Sequence, residues 1–100
     1  MLTLGEGKRA VLYVGAHHAM ELITSVLLLR FVNELSEFVK TKSRVYSYDT
    51  KYLLSTRTIY VIPMLNPDGV DYQINGVSRD NVLYDRLIKM NGGSEDFSRS

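Results

Sequence analysis

One hundred residues, 45% of them apolar, with 12 basic and 11 acidic groups giving a net charge of +1, supply one small domain or a piece of a larger one. The charges are interspersed, so neither a nucleic-acid footprint nor a polybasic membrane anchor is expected. The chain has no cysteine, which excludes disulfide frameworks and thiolate metal sites.

No signal-peptide pattern is visible, and the longest apolar runs, around Val11–Val14 and Val26–Leu29, are far too short to span a membrane. The compartment stays open. Leu2 to Leu4, the stretch Gly5-Glu6-Gly7-Lys8 and Arg9 to Gly15 read as a strand, a glycine turn and a second strand. The run Val11–Val14 predicts a strand covered on both faces, as in a parallel or mixed sheet. From about Met20 to Lys40 the period changes. Ile23, Leu27, Phe31, Leu35 and Phe38 recur every three or four residues, with charges mostly opposite, which predicts a long amphipathic helix. The block Val26–Leu29 is apolar all round and predicts deep burial.

Thr41 to Arg44 loosens the chain, and Val45 to Ser55 fits either a short strand or a helical turn. A strand is expected over Thr58 to Ile62, with Pro63 at its end because it lacks a ladder donor. Asn66-Pro67-Asp68-Gly69 and Asn75-Gly76 are turn signals. Asp80 or Asn81 is expected to cap a last helix with Leu83, Leu87 and Ile88 inward, closed by Gly92-Gly93. The end, from Ser94, reads as loop, and the scattered tyrosines read as half-buried packing residues.

The central unit is thus strand–helix–strand, an α/β crossover that joins parallel strands. Ligands in open α/β sheets gather outside the carboxyl ends of the strands. His17, His18 and Glu21 follow the first of these strands, and Asn66 and Asp68 follow the second, so parallel strands would bring both groups to one edge. His18 and Glu21, spaced H-x-x-E, are candidate metal ligands, because zinc accepts imidazole nitrogen and carboxylate oxygen. His17 is expected to be extended and so to point away from His18. A histidine near a helix start is also commonly a capping or surface residue, and Asn-Pro-Asp-Gly is commonly only a turn.

In combination the motifs say more. "VGAHHAMELITS", followed downstream by "IYVIPMLNPDGVD" and "SRDNVLYDRLIKMNGGSEDFSR", resembles the zinc carboxypeptidase family, most of all its bacterial γ-D-glutamyl-diaminopimelate (peptidoglycan) peptidases. The resemblance covers nearly the whole chain. It implies a partial carboxypeptidase-like mixed sheet with a strand–helix–strand crossover and a C-terminal helix. It also implies one zinc ion, with His18 and Glu21 as its first two ligands, and a peptide or muropeptide substrate. Two departures stand out. Leu22 replaces a tryptophan common after the metal glutamate. Met20 replaces the substrate-binding arginine of the animal digestive members, which favours the bacterial branch.

The family's third zinc ligand, its general base and its substrate-binding arginine and asparagine groups lie further downstream than this chain reaches. Residues 1–100 are therefore expected to be the N-terminal portion of one catalytic domain, as a truncated gene product or a deliberately cut piece, with no catalytic residue of their own. Asp68 is a candidate second-sphere support or a turn stabiliser. A reading of another class, a non-catalytic binding module, predicts homo-oligomers through uncovered strand edges. A nucleotide-binding domain is disfavoured, since "GAHHAM" is not a glycine-rich phosphate cradle.

Overall fold

A computed structural model describes residues 1–41, 44–45 and 48–98. Three strands form one mixed sheet: β1 (Leu2–Leu4), β2 (Arg9–Val14) and β5 (Arg57–Ile62), in the order β1-β5-β2. β5 pairs antiparallel with β1, Leu4 opposite Ile59, and parallel with β2, Val11 opposite Ile59 and Tyr13 opposite Val61. The two strands flanking the glycine turn are therefore not neighbours, because β5 lies between them. Glu6 N–H donates to the Leu54 carbonyl at 2.9 Å, and the Thr58 hydroxyl donates to the Gly7 carbonyl at 2.7 Å. These bonds hold the turn against the entry to β5.

The parallel pair is joined by α1 (Leu22–Lys40), then by the short antiparallel pair β3 (Arg44–Val45) and β4 (Tyr48–Asp49), then by α2 (Thr50–Thr56). The open segment Val45 to Ser55 thus resolves into strand followed by helix where it is described; Tyr46, Ser47 and the Tyr48 side chain lie outside the described residues. Asp49 caps α2, its carboxylate accepting the Tyr52 N–H at 3.0 Å.

Opposed residues share a sheet face. Ile59 and Val61 lie on the face that α1 covers, where they are buried with Leu35 and flanked by Leu4, Leu28, Phe31, Val32 and Leu54. Tyr13, on the same face, meets Phe31 edge-on with ring centres 5.7 Å apart. Among the described residues the core is small and the shape long: the radius of gyration is 18.5 Å, against about 13 Å for a compact 100-residue domain.

Several expectations of burial are corrected. Val11, Leu12 and Tyr13 are exposed, because β2 is an edge strand. Val26, Leu27 and Leu29 are also exposed, with Ile23 at 76%, because only the Leu28–Phe31–Val32–Leu35 stripe meets the sheet. Tyr52, too, is exposed rather than half-buried. Among the described residues no helix is long and apolar enough to cross a membrane.

Beyond β5 come α3 (Pro67–Asn75) and α4 (Tyr84–Met90). Asn-Pro-Asp-Gly is therefore a helix start rather than a free turn, with Pro67 in the first turn. Gly76, at φ +71°, closes α3 as the Asn-Gly signal implies. Asn81 does organise the entry to α4, but as a turn before it: its side chain accepts the Leu83 N–H and its carbonyl the Tyr84 N–H, both at 2.9 Å. Leu83 is exposed rather than inward. Among the described residues of the final loop Phe97 is buried, its ring 6.3 Å from Tyr72.

Candidate functional site

Because β2 and β5 run parallel, their carboxyl ends emerge together. Four hydrogen bonds stitch the two exits. Gly15 N–H donates to the Ile62 carbonyl at 2.9 Å, Leu65 N–H to Gly15 at 2.9 Å, Asn66 N–H to Ala16 at 3.0 Å, and the Asn66 side-chain amide to the His17 carbonyl at 3.4 Å. A Cβ at Gly15 would come within 2.8 Å of the Pro63 carbonyl, so the close approach needs glycine there. The predicted convergence of the two segments is observed.

Asn66 does two jobs. Its side-chain oxygen accepts the Gly69 N–H at 3.0 Å, capping α3, while its amide reaches the His17 carbonyl. A Cβ at Gly69 would collide with the Asn66 side chain, which explains glycine at the fourth place of the motif. Asp68, the candidate support, lies exposed in the first turn of α3, where a carboxylate favours the helix dipole. It is Asn66 that touches the histidine loop. From the sequence Asn66 is expected in a turn at the same sheet edge as the histidines, and its place as N-cap could also be read from the proline that follows it.

Ala16 is fully buried and holds φ +47°, the left-handed region that residues with a Cβ seldom enter. This turn ends the extended chain before His17. The expected alternation of the two histidines across a strand therefore does not apply, since β2 stops at Val14. His18 and Glu21 are brought together: Nδ1 lies 2.7 Å from Glu21 Oε1, and the His18 N–H donates to Oε2 at 3.3 Å. Both side chains are open to solvent, at 81% and 42% exposure. The hydrogen bond from His18 holds the Glu21 carboxyl below its ordinary range, with a smaller backbone contribution from the same residue. Among the described residues no three His, Cys, Asp or Glu side chains form a group able to hold a metal ion.

His18 also borders a cleft of about 320 Å³ whose wall is largely apolar, lined by Asn66 together with Tyr72, Leu87, Met90 and Phe97. Asn91 shapes that wall by donating to the Ser94 and Asp96 carbonyls, both at 2.9 Å. Glu95, bonded to the Tyr84 hydroxyl and to Arg79, fastens the loop to α4 from outside. Glu34 and Glu37, paired with Arg30 and Lys40 at 2.8 and 2.9 Å on the outer face of α1, stand apart from the corner.

The corner is thus an imidazole–carboxylate pair set where the parallel strands of a mixed α/β sheet end. The chain belongs to the zinc carboxypeptidase family, whose sequence profile matches residues 3–98. It is 30% identical over 97 residues to gamma-D-glutamyl-L-diamino acid endopeptidase 1 of Lysinibacillus sphaericus, an alignment covering 97% of this chain and 24% of that protein. Over 69 residues it is 35% identical to a zinc carboxypeptidase of Saccharothrix mutabilis subsp. capreolus, covering 69% of this chain and 15% of that one. An uncharacterized protein of Bacillus subtilis shares 28% over 81 residues, 81% of this chain and 22% of its own. The chain spans about a quarter or less of the length of these relatives. No solved structure matches.

Proposed function

We propose that residues 1–100 are one unit, part of the catalytic domain of a zinc metallopeptidase that cuts γ-D-glutamyl-diaminopimelate bonds of cell-wall peptides. His18 and Glu21 would be two of its zinc ligands. The observation that carries this reading is the 2.7 Å approach of His18 Nδ1 to the Glu21 carboxylate, open to solvent, at the carboxyl ends of two parallel strands. Imidazole nitrogen and carboxylate oxygen are both zinc donors, so the pair fits part of a ligand set. When bound in such a site, zinc supplies Lewis-acid polarisation of the scissile carbonyl and activation of water. This chain's own part is to hold the two donors at one point through the Ala16 turn and the Asn66 brace. Support for the substrate class comes from the relative named as an endopeptidase of gamma-D-glutamyl-L-diamino acid bonds.

With two donors together among the described residues, the isolated chain is expected to bind zinc weakly and to release no product from a γ-D-glutamyl-diaminopimelate peptide. Calorimetric titration with zinc, beside His18→Ala, tests the ligands: heat lost in the variant supports them, and a wild-type chain that takes up no zinc removes them. Peptide turnover that disappears in Glu21→Gln would overturn the expectation of inactivity.

A second reading has its own observation. Val11, Leu12 and Tyr13 on the edge strand, with Ile23, Val26 and Leu27 on α1, leave apolar surface uncovered. Monomeric proteins seldom expose large contiguous apolar patches, so the chain would self-associate there as a non-catalytic module. Sedimentation at high concentration decides it, and a clean monomer counts against it.

A further inference from the structure

The loop from Ala16 to Glu21 carries both members of the pair, and one side chain ties its two ends. The Thr24 hydroxyl accepts the Ala16 N–H at 2.7 Å and donates to the Glu21 carbonyl at 2.6 Å. Both bonds are part-buried. Ala16 is the residue held at positive φ, a conformation that persists only where its surroundings fix it. Its carbonyl is fixed from outside by Asn66, and its N–H by Thr24. The hydroxyl thus uses its donor and one acceptor site on backbone groups at the two ends of the loop; the Glu21 carbonyl also accepts the Thr24 N–H at 3.0 Å, and the Glu21 N–H donates to the His18 carbonyl at 3.1 Å. Its neighbour Ser25 makes a bond of the same length, 2.6 Å, but to the Pro63 carbonyl, which lies outside the loop.

We infer that Thr24 is a positioning residue: its hydroxyl bridge sets the separation of His18 and Glu21. This rests on the pair being the metal ligands only where zinc affinity is concerned; the metal-free pair tests it independently.

The experiment is nitrogen-15 NMR of the metal-free chain, reading the His18 ring nitrogens and the exchange rate of the Ala16 amide. Wild type, Thr24→Ser, Thr24→Val, Thr24→Ala and the control Ser25→Ala are compared, and each is then titrated with zinc. The bridge predicts a protected Ala16 amide and a hydrogen-bonded His18 Nδ1 in wild type, in Thr24→Ser and in Ser25→Ala. Both signatures should be lost in Thr24→Val and Thr24→Ala, with zinc affinity about tenfold lower or more. Rapid exchange of Ala16 in wild type overturns the proposal, and this arm needs no variant to fold. So does an intact His18 signature in Thr24→Val or Thr24→Ala, or an equal loss in Ser25→Ala. If the wild-type chain takes up no zinc, the ligand reading fails, while the ring and amide signals still decide the role of Thr24.

Discussion

The corner where β2 and β5 end and the outer face of α1 are built from neighbouring stretches of chain in opposite ways. In the corner, Gly15 to Glu21 is tied by backbone and side-chain hydrogen bonds to Thr24, Ile62, Leu65 and Asn66, and Ala16 is fully buried. A few residues further on, Ile23, Val26 and Leu27 stand in solvent. Directional bonds hold the corner without help from a large core. The outer face has apolar area and nothing among the described residues to bury it against. A geometry held by hydrogen bonds can keep two donor side chains in place on an otherwise thin scaffold.

The comparison is broken most severely from beneath. Val61 is fully buried under α1, and Val61→Ala should cost about 2–3 kcal/mol in urea denaturation, since both regions rest on it. Next comes the brace. Asn66→Ala removes the cap of α3 and the bond to the His17 carbonyl. It is expected to cost about 1 kcal/mol and to speed amide exchange in the corner while leaving that of α2 unchanged. Uniform acceleration across the chain would mean that the corner has no independence. On the other face, Ile23→Ser with Leu27→Ser should change stability by no more than about 0.5 kcal/mol. The pair should, however, shift sedimentation toward monomer; an unchanged distribution would place self-association elsewhere.

The contrast also separates what was legible in the sequence from what was not. The three sheet strands and the long helix α1 carry local signals, apolar runs and a three-to-four-residue period, whereas Asn-Pro-Asp-Gly reads as a turn although its capping side chain and first-turn proline start α3. The parallel convergence followed from the crossover. The insertion of β5 between β1 and β2 did not, because strand order is set by contacts remote in sequence. The exposure of Val26 and Leu27 was hidden for a related reason. An apolar run states what could be buried, while burial depends on whether another layer arrives. The His18–Glu21 pair was visible as a spacing. The devices that hold it, an alanine at positive φ and a threonine bridging its loop, involve residue types with no signature for those roles.

The smallest expected effect concerns pH. The hydrogen bond from His18 depresses the Glu21 carboxyl below its ordinary value of 4.5. A carboxyl depressed on folding stabilises the native state above the unfolded value, and that contribution is lost as pH falls through the lowered native value. Glu21→Gln should therefore remove a small stabilisation present at neutral pH, flatten the acid limb as pH falls from 4.5 through the lowered native value, and leave stability at still lower pH unchanged. The pair is solvent-exposed, so water screens it and the change should be small. A large loss at neutral pH would mean that the side-chain pair itself holds the corner. Backbone bonds from Thr24 and Asn66 would then be secondary, reversing the order of causes drawn from the geometry.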